Sequence, residues 1–237
     1  MEFSKRDIIF ESWQTLKRHL SLWILIMLFI FALNIAISTV QEKLLDNIST
    51  QTVIFIVAAY LFQAGINLGM LKIALNIYNN VETNFKQIFG SFHLLLTYVF
   101  ATIVFLFLLV LMASPGIILL VASLSKDFDS ISRSEGLNNL SLMIPLLLII
   151  IAIVYSSIRM QFYDYFVVDG KYGAIDAIKR SIIITKGYVG KLFILNAALS
   201  IIILVSMIPL MLGLLISIPL VTIVNTHLYL KLNKPTM

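Results

Sequence analysis

The chain has 237 residues, of which 60% are apolar and 12% charged, with a formal net charge of +5. Soluble domains carry about 25% charged residues, so this composition excludes an ordinary water-soluble enzyme, and its hydrophobicity excludes a disordered chain. No cysteine is present, which removes disulfides, thiolate metal sites and thiol nucleophiles together.

A helix that crosses a bilayer covers about 30 Å at about 1.5 Å per residue, so each span needs about 20 residues without charge. In chain order the pattern opens with an amphipathic helix over 5–18, where Ile9, Trp13, Leu16 and Leu20 recur at helical steps. Spans at about 20–40 and 52–75 follow. The first is too long for the apolar region of a signal peptide, and the site Ala36-Ile37-Ser38 lies inside it, so it is retained. Val81, Phe85, Ile88 and Phe92 repeat the same steps and predict a second surface helix over about 81–91.

From Gln87 to Ser125 there is no Asp, Glu, Lys or Arg, but Ser114-Pro115-Gly116 interrupts the run. The third span is therefore expected at about 92–112, with Ile117–Leu124 as a kinked extension or a surface segment. The fourth covers about 142–160, with Pro145 in its first turn, and runs on into Phe162, Tyr163, Tyr165 and Phe166. A third amphipathic helix is expected over about 173–187, with Ile175, Ile178, Ile182 and Val189 on its apolar face. Leu192 to Leu230 is again uncharged, and as one helix it would measure about 58 Å. A fold at Ile208-Pro209 divides it into spans at 192–208 and 211–230, the last kinked at Pro219.

This is the pattern of an all-α polytopic membrane protein: one domain, six transmembrane helices and three interfacial amphipathic helices. Six spans put both termini on one side. Fourteen of the 17 basic residues fall on that side, leaving Lys43, Lys126 and Arg133 on the other. The excess predicts cytoplasmic N and C termini. It also gives the net charge a partner other than nucleic acid: Lys17, Arg18, Lys179, Arg180 and Lys186 are candidate contacts for anionic lipid. The plainer role of the surface helices is to anchor and orient the spans.

No Asp or Glu falls at the centre of a span, which argues against proton-coupled or metal-coupled transport. His19, His93 and His227 sit near predicted helix ends without a second histidine at ligand spacing, so neither a metal site nor a cofactor is expected. The polar groups within or near the spans are Asn34, Gln63, Asn67, Asn196, Ser200 and Asn225, and each should seek a partner on a neighbouring helix. Gly65 and Gly69 form a small-xxx-small pair that places their helix centrally in the bundle or at a homodimer seam. The same residues could instead line a polar permeation path. Asp164, Asp169 and Asp176 form the densest carboxylate group, near Arg159, Lys179 and Arg180, where the charges should pair. The chain has no Gly-x-Ser-x-Gly elbow, no phosphate-binding glycine loop and no His-Glu-x-x-His.

Residues 161–195 read QFYDYFVVDGKYGAIDAIKRSIIITKGYVGKLFIL. An aromatic helix end, an Asp, a small residue–x–x–Ala–x–x–x–Ser unit and a Lys-Gly before the next span are carried here by Phe166, Asp169, Ala174, Ala177, Ser181, Lys186 and Gly187. The stretch resembles a signature of the YciC family and of the membrane domain attached to some glycerophosphoryl diester phosphodiesterases. In such relatives a Pro-Gly pair often precedes the signature by one span; here Pro115-Gly116 is followed by an extra loop and span, and Pro145 by Leu146. The resemblance implies a multi-pass protein of the bacterial inner membrane and carries no catalytic residues. Asp169 should cap the surface helix and Gly187 should end it.

The expected function is non-enzymatic, in envelope or lipid homeostasis, through lipid or protein contacts of the surface helices. One alternative is a transporter of a small neutral or zwitterionic molecule, using Gln63, Asn67 and Asn196. The other is an accessory or immunity subunit of a membrane complex.

Overall fold

A computed structural model describes residues 5–45, 50–132, 139–170, 172–208 and 212–233. The chain is all-helical, and six of its helices are long and apolar enough to cross a membrane. In order they are α1 (Lys5–Arg18), α2 (Leu20–Leu45), α3 (Thr50–Tyr78), α4 (Leu95–Ser132), α5 (Asn139–Met160), α6 (Tyr163–Val168), α7 (Ala174–Ile184), α8 (Val189–Met207) and α9 (Leu214–Asn233). The span-length helices are α2, α3, α4, α5, α8 and α9, with α6 extending α5 after a turn.

Burial is concentrated at one end of the bundle. Trp23, Ile26 and Met27 are buried near the start of α2, as are Leu192, Leu195 and Leu199 near the start of α8. In α3 the continuous buried stretch lies in the second half, and α9 is buried from Pro219 to Tyr229 on successive turns. The other ends are bare: Phe31, Ile35, Val53, Val57, Leu147 and Leu204 are all exposed. Those side chains are apolar, as lipid contact requires. The packed end is also the basic end, because α1, α7, the last turns of α3 and α9 and the first turn of α8 belong to it.

Pro115 does not break its helix: α4 is continuous for 38 residues through it. A proline leaves the carbonyl four residues earlier without its donor, and here the Ser114 hydroxyl donates to Leu111 O at 2.8 Å in place of that N–H. Gly116 then serves as a crossing point. A Cβ there would lie 2.7 Å from Ile149 Cγ1 and 3.2 Å from Pro145 O, so glycine is what lets α4 and α5 approach. Pro145 itself is not in the first turn, because α5 begins earlier, at Asn139. α9 runs through Pro219 without interruption. The turn expected at Ile208-Pro209 lies partly outside the described residues, which do not include Pro209, and so do Arg133, Lys171 and Lys234 of the basic residues.

The second surface helix is absent from 81–91. After Asn80, whose φ is 55°, residues 81–84 run without helical structure, and two short 3-10 turns follow at Phe85–Phe89 and Phe92–Leu94. The Asn84 side chain caps the first by accepting from Gln87 N at 3.3 Å. Phe85, Ile88 and Phe92 still face inward, as their spacing predicts, and Phe85 and Phe89 meet Phe29 edge-on at 5.4 and 5.8 Å.

The other two amphipathic segments are helices with two working faces. α1 packs on α9 and fully buries Ile8, Ser12 and Leu16; of the predicted stripe Leu16 is buried, while Ile9, Trp13 and Leu20 are half-buried. The Ser12 hydroxyl lies 3.3 Å from Tyr78 Oη, and His227 Nε2 lies 3.4 Å from Glu11. In α7 the small residues Ala174, Ala177 and Ser181 go inward with Ile178, while Ile175 and Ile183 are 49% and 63% exposed. Small residues permit close helix contact, and the branched ones are left on the outer face.

Candidate functional site

α5 ends at Met160 and the chain turns through Gln161 and Phe162 before α6, which leaves backbone groups without helical partners in a buried place. Ser181 of α7 fills that gap from both sides. Its hydroxyl donates to Arg159 O at 3.1 Å and accepts from Phe162 N at 3.0 Å. Thr185, one turn on, also donates to Arg159 O, at 3.0 Å. Ala174 and Ala177 bring α7 close enough for this bridge. Phe166 and Tyr165 pack on Tyr229 of α9, with ring centroids 5.0 and 5.2 Å away, and Tyr229 Oη donates to Asp169 Oδ2 at 3.2 Å. The signature residues thus form one clamp across α5, α6, α7 and α9. Asp169 does not cap α7: the N-cap is Gly173, with no side-chain hydrogen bond. Gly187, at φ 83°, takes the left-handed turn ahead of α8.

Beside this clamp is a cavity of about 310 Å³ lined by Lys72 and Asn76 of α3, Gln87, Ser91 and His93 of the 3-10 segment, and Asp169 and Gly170 after α6. Gly69 builds its wall. A Cβ at Gly69 would fall 2.7 Å from Ile88 Cα and closer still to the Ile88 carbonyl, so only glycine lets that segment seat on α3. Gly65 plays the same part under the Phe92 ring. The glycine pair therefore receives a turn of the same chain rather than another helix. Asn76 Nδ2 donates to Gln87 Oε1 at 3.2 Å, and Gln87 Nε2 donates to Glu82 O at 2.9 Å, which fixes both amides. His93 Nδ1 lies 3.0 Å from Gly90 O; a carbonyl only accepts, so Nδ1 carries the proton in this contact. Ser91 is 2% exposed, and Lys72 makes no ion pair with a described carboxylate. A cation, hydroxyl and amide donors and a carboxylate on one cavity wall suit a small polar or zwitterionic group.

The polar residues predicted within the spans fall into separate pairs. Gln63 Nε2 donates to Asn34 Oδ1 at 3.3 Å, joining α3 to α2, and Asn34 Nδ2 turns back to Ile30 O at 2.8 Å. Asn196 Nδ2 donates to Gln161 Oε1 at 2.7 Å, joining α8 to the α5–α6 turn. Asn67 and Ser200 are exposed, and Asn225 Oδ1 is buried with no partner among the described residues. The structure does not bring Gln63 and Asn196 onto a shared partner. Gln63→Leu should lower stability by about 0.6 kcal/mol, and by no more than about 2, in denaturant titrations of the micelle-bound protein.

The candidate lipid contacts are all at the basic end. Lys17 Nζ lies 5.2 Å from the Trp13 ring centre, and the Arg180 guanidinium 5.1 Å from that of Tyr172. Arg18, Lys179 and Lys186 are exposed, and none of the five makes an ion pair with a described carboxylate. The three aspartates do not act as one group: Asp164 accepts from Tyr165 N, Asp169 accepts from Tyr229, and Asp176 is exposed. Among the described residues no three His, Asp or Glu side chains come close enough to hold a metal ion.

Of the cavity residues, the sequence marks His93 and Asp169 singly and Lys72 only as one of the fourteen basic residues of one side; it does not mark Asn76, Gln87 or Ser91 as site residues. The signal for them was the Gly65/Gly69 pair, which marks where another backbone must approach. The chain matches no family model, no curated protein and no solved structure.

Proposed function

We propose that the chain is a non-enzymatic integral protein of the bacterial cytoplasmic membrane, with both termini cytoplasmic, that serves envelope or lipid homeostasis by holding anionic lipid headgroups at its packed end. The observation that carries this reading is the set of exposed cations there, two of them seated over aromatic rings and all five without a described carboxylate partner. Cations beside interfacial aromatic rings are the arrangement by which amphipathic helices hold anionic headgroups. The resemblance of residues 161–195 to YciC-like proteins supports the same location.

The test is native mass spectrometry of the protein extracted with phosphatidylglycerol and cardiolipin. Replacing Lys17, Arg18, Lys179 and Arg180 together with Gln should strip the distribution of weakly held lipids, at about 1 kcal/mol for each charge lost. Unchanged lipid retention would overturn the reading.

The cavity lined by Lys72 and Asp169 favours one second reading, a transporter of a small zwitterionic molecule. Saturable flux into reconstituted vesicles, abolished by Lys72→Met, would put that reading first.

A further inference from the structure

A second cleft, of about 250 Å³, opens between α4, α5 and α7, and its wall is mostly apolar. Leu108 and Met112 line it from α4, Tyr155, Ser156 and Arg159 from α5, and Ile182 from α7. Two polar groups in it lack partners among the described residues. The Arg159 guanidinium is partly buried and makes no hydrogen bond or ion pair with a described residue; only its backbone carbonyl is engaged, by Ser181 and Thr185. Ser156 is 3% exposed and its hydroxyl has no partner among the described residues. The hydroxyls of Thr102, Ser206, Thr222 and Thr226 turn back to the carbonyl four residues earlier. The Ser156 hydroxyl does not.

Ser156 and Arg159 are three residues apart, so they share a face of α5 and are about 4.5 Å apart along its axis. A guanidinium in apolar surroundings without a counter-ion demands an anion, and its flat fork matches the oxygens of a phosphate. We propose that this cleft binds one phospholipid, with the phosphodiester on Arg159, an ester carbonyl over Ser156 and an acyl chain along Leu108, Met112 and Tyr155. Order along the cleft follows the molecule. Arg159 lies beside Ile182 of the surface helix α7, Ser156 comes one turn further along α5, and the apolar side chains lead on between α4 and α5. This inference needs the chain to sit in a bilayer, but it is independent of the exposed cations on α1 and α7.

The experiment uses the full chain with phosphatidylglycerol and follows the lipid that survives collisional activation in native mass spectrometry. Wild type should keep one tightly held lipid per chain. Arg159→Gln should lower its retention about tenfold, the size of one charge-assisted contact. Its unfolding temperature in lipid-free detergent should not fall, because the Arg159 side chain bonds no described residue. Leu108→Trp, which fills the cleft from its apolar side, should displace the same lipid. The variant at Lys17, Arg18, Lys179 and Arg180 should keep it while losing the weakly held pool, so the two readings fail separately. Equal retention by Arg159→Gln and wild type would overturn the proposal. Displacement by millimolar glycerophosphate would also overturn it, since the site would then read an anion without its chain.

Discussion

Replacing Ser181 with Ala should destabilise the protein by about 2–4 kcal/mol, because two buried backbone groups lose one shared partner. The Phe162 N–H loses its acceptor outright, while Arg159 O keeps the donor supplied by Thr185. Thr185→Val should therefore cost less, about 1 kcal/mol, since Arg159 O then still has Ser181. The double variant should cost more than the sum of the two, as each hydroxyl covers for the other at that carbonyl. Equilibrium unfolding in detergent, read by intrinsic fluorescence from the buried Trp23, measures all three. A Ser181→Ala loss below about 1 kcal/mol would show that Phe162 N finds another acceptor after relaxation.

Gly69→Ala should be comparably damaging, at about 3 kcal/mol or more, because its added methyl would meet the Ile88 backbone, which cannot rotate away. Three glycines of the same chain give a graded series. Gly65→Ala should be milder, since the atoms in its way belong to the Phe92 ring, which can shift. Gly190→Ala has nothing within 4 Å and should be neutral or slightly stabilising through the entropy of the unfolded chain. Unfolding midpoints, together with monodispersity on size exclusion, would rank them. A Gly69→Ala protein as stable as the Gly190→Ala protein would mean that the 3-10 segment does not seat on α3.

The all-helical, six-span architecture was legible because bilayer thickness imposes a length that few other constraints mimic, and runs such as Leu20–Val40 satisfy it without reference to any contact. The faces of α1 and α7 were harder to read. Sequence periodicity finds the large apolar stripe, but a helix at an interface has two apolar neighbours. Ser12, Ala177 and Ser181 turn to the protein, while Ile175 and Ile183 are exposed. Pro115 misled because its cost was judged alone, when the adjacent Ser114 repairs the missing donor and Gly116 uses the site for close packing. The 3-10 segment was read as a helix because Phe85, Ile88 and Phe92 keep helical spacing even though Asn80 and Asn84 set a different backbone. Asn76, Gln87 and Ser91 meet only once that segment is seated, so no local pattern could have joined them.

The one-ended distribution of buried residues has a mechanical consequence. The buried residues make a collar at one end, from which the described helices extend like tines. Where a membrane is thinner or thicker than the tines are long, the mismatch is absorbed by their tilt. The collar, with both of its clefts, keeps its shape while its surroundings flex.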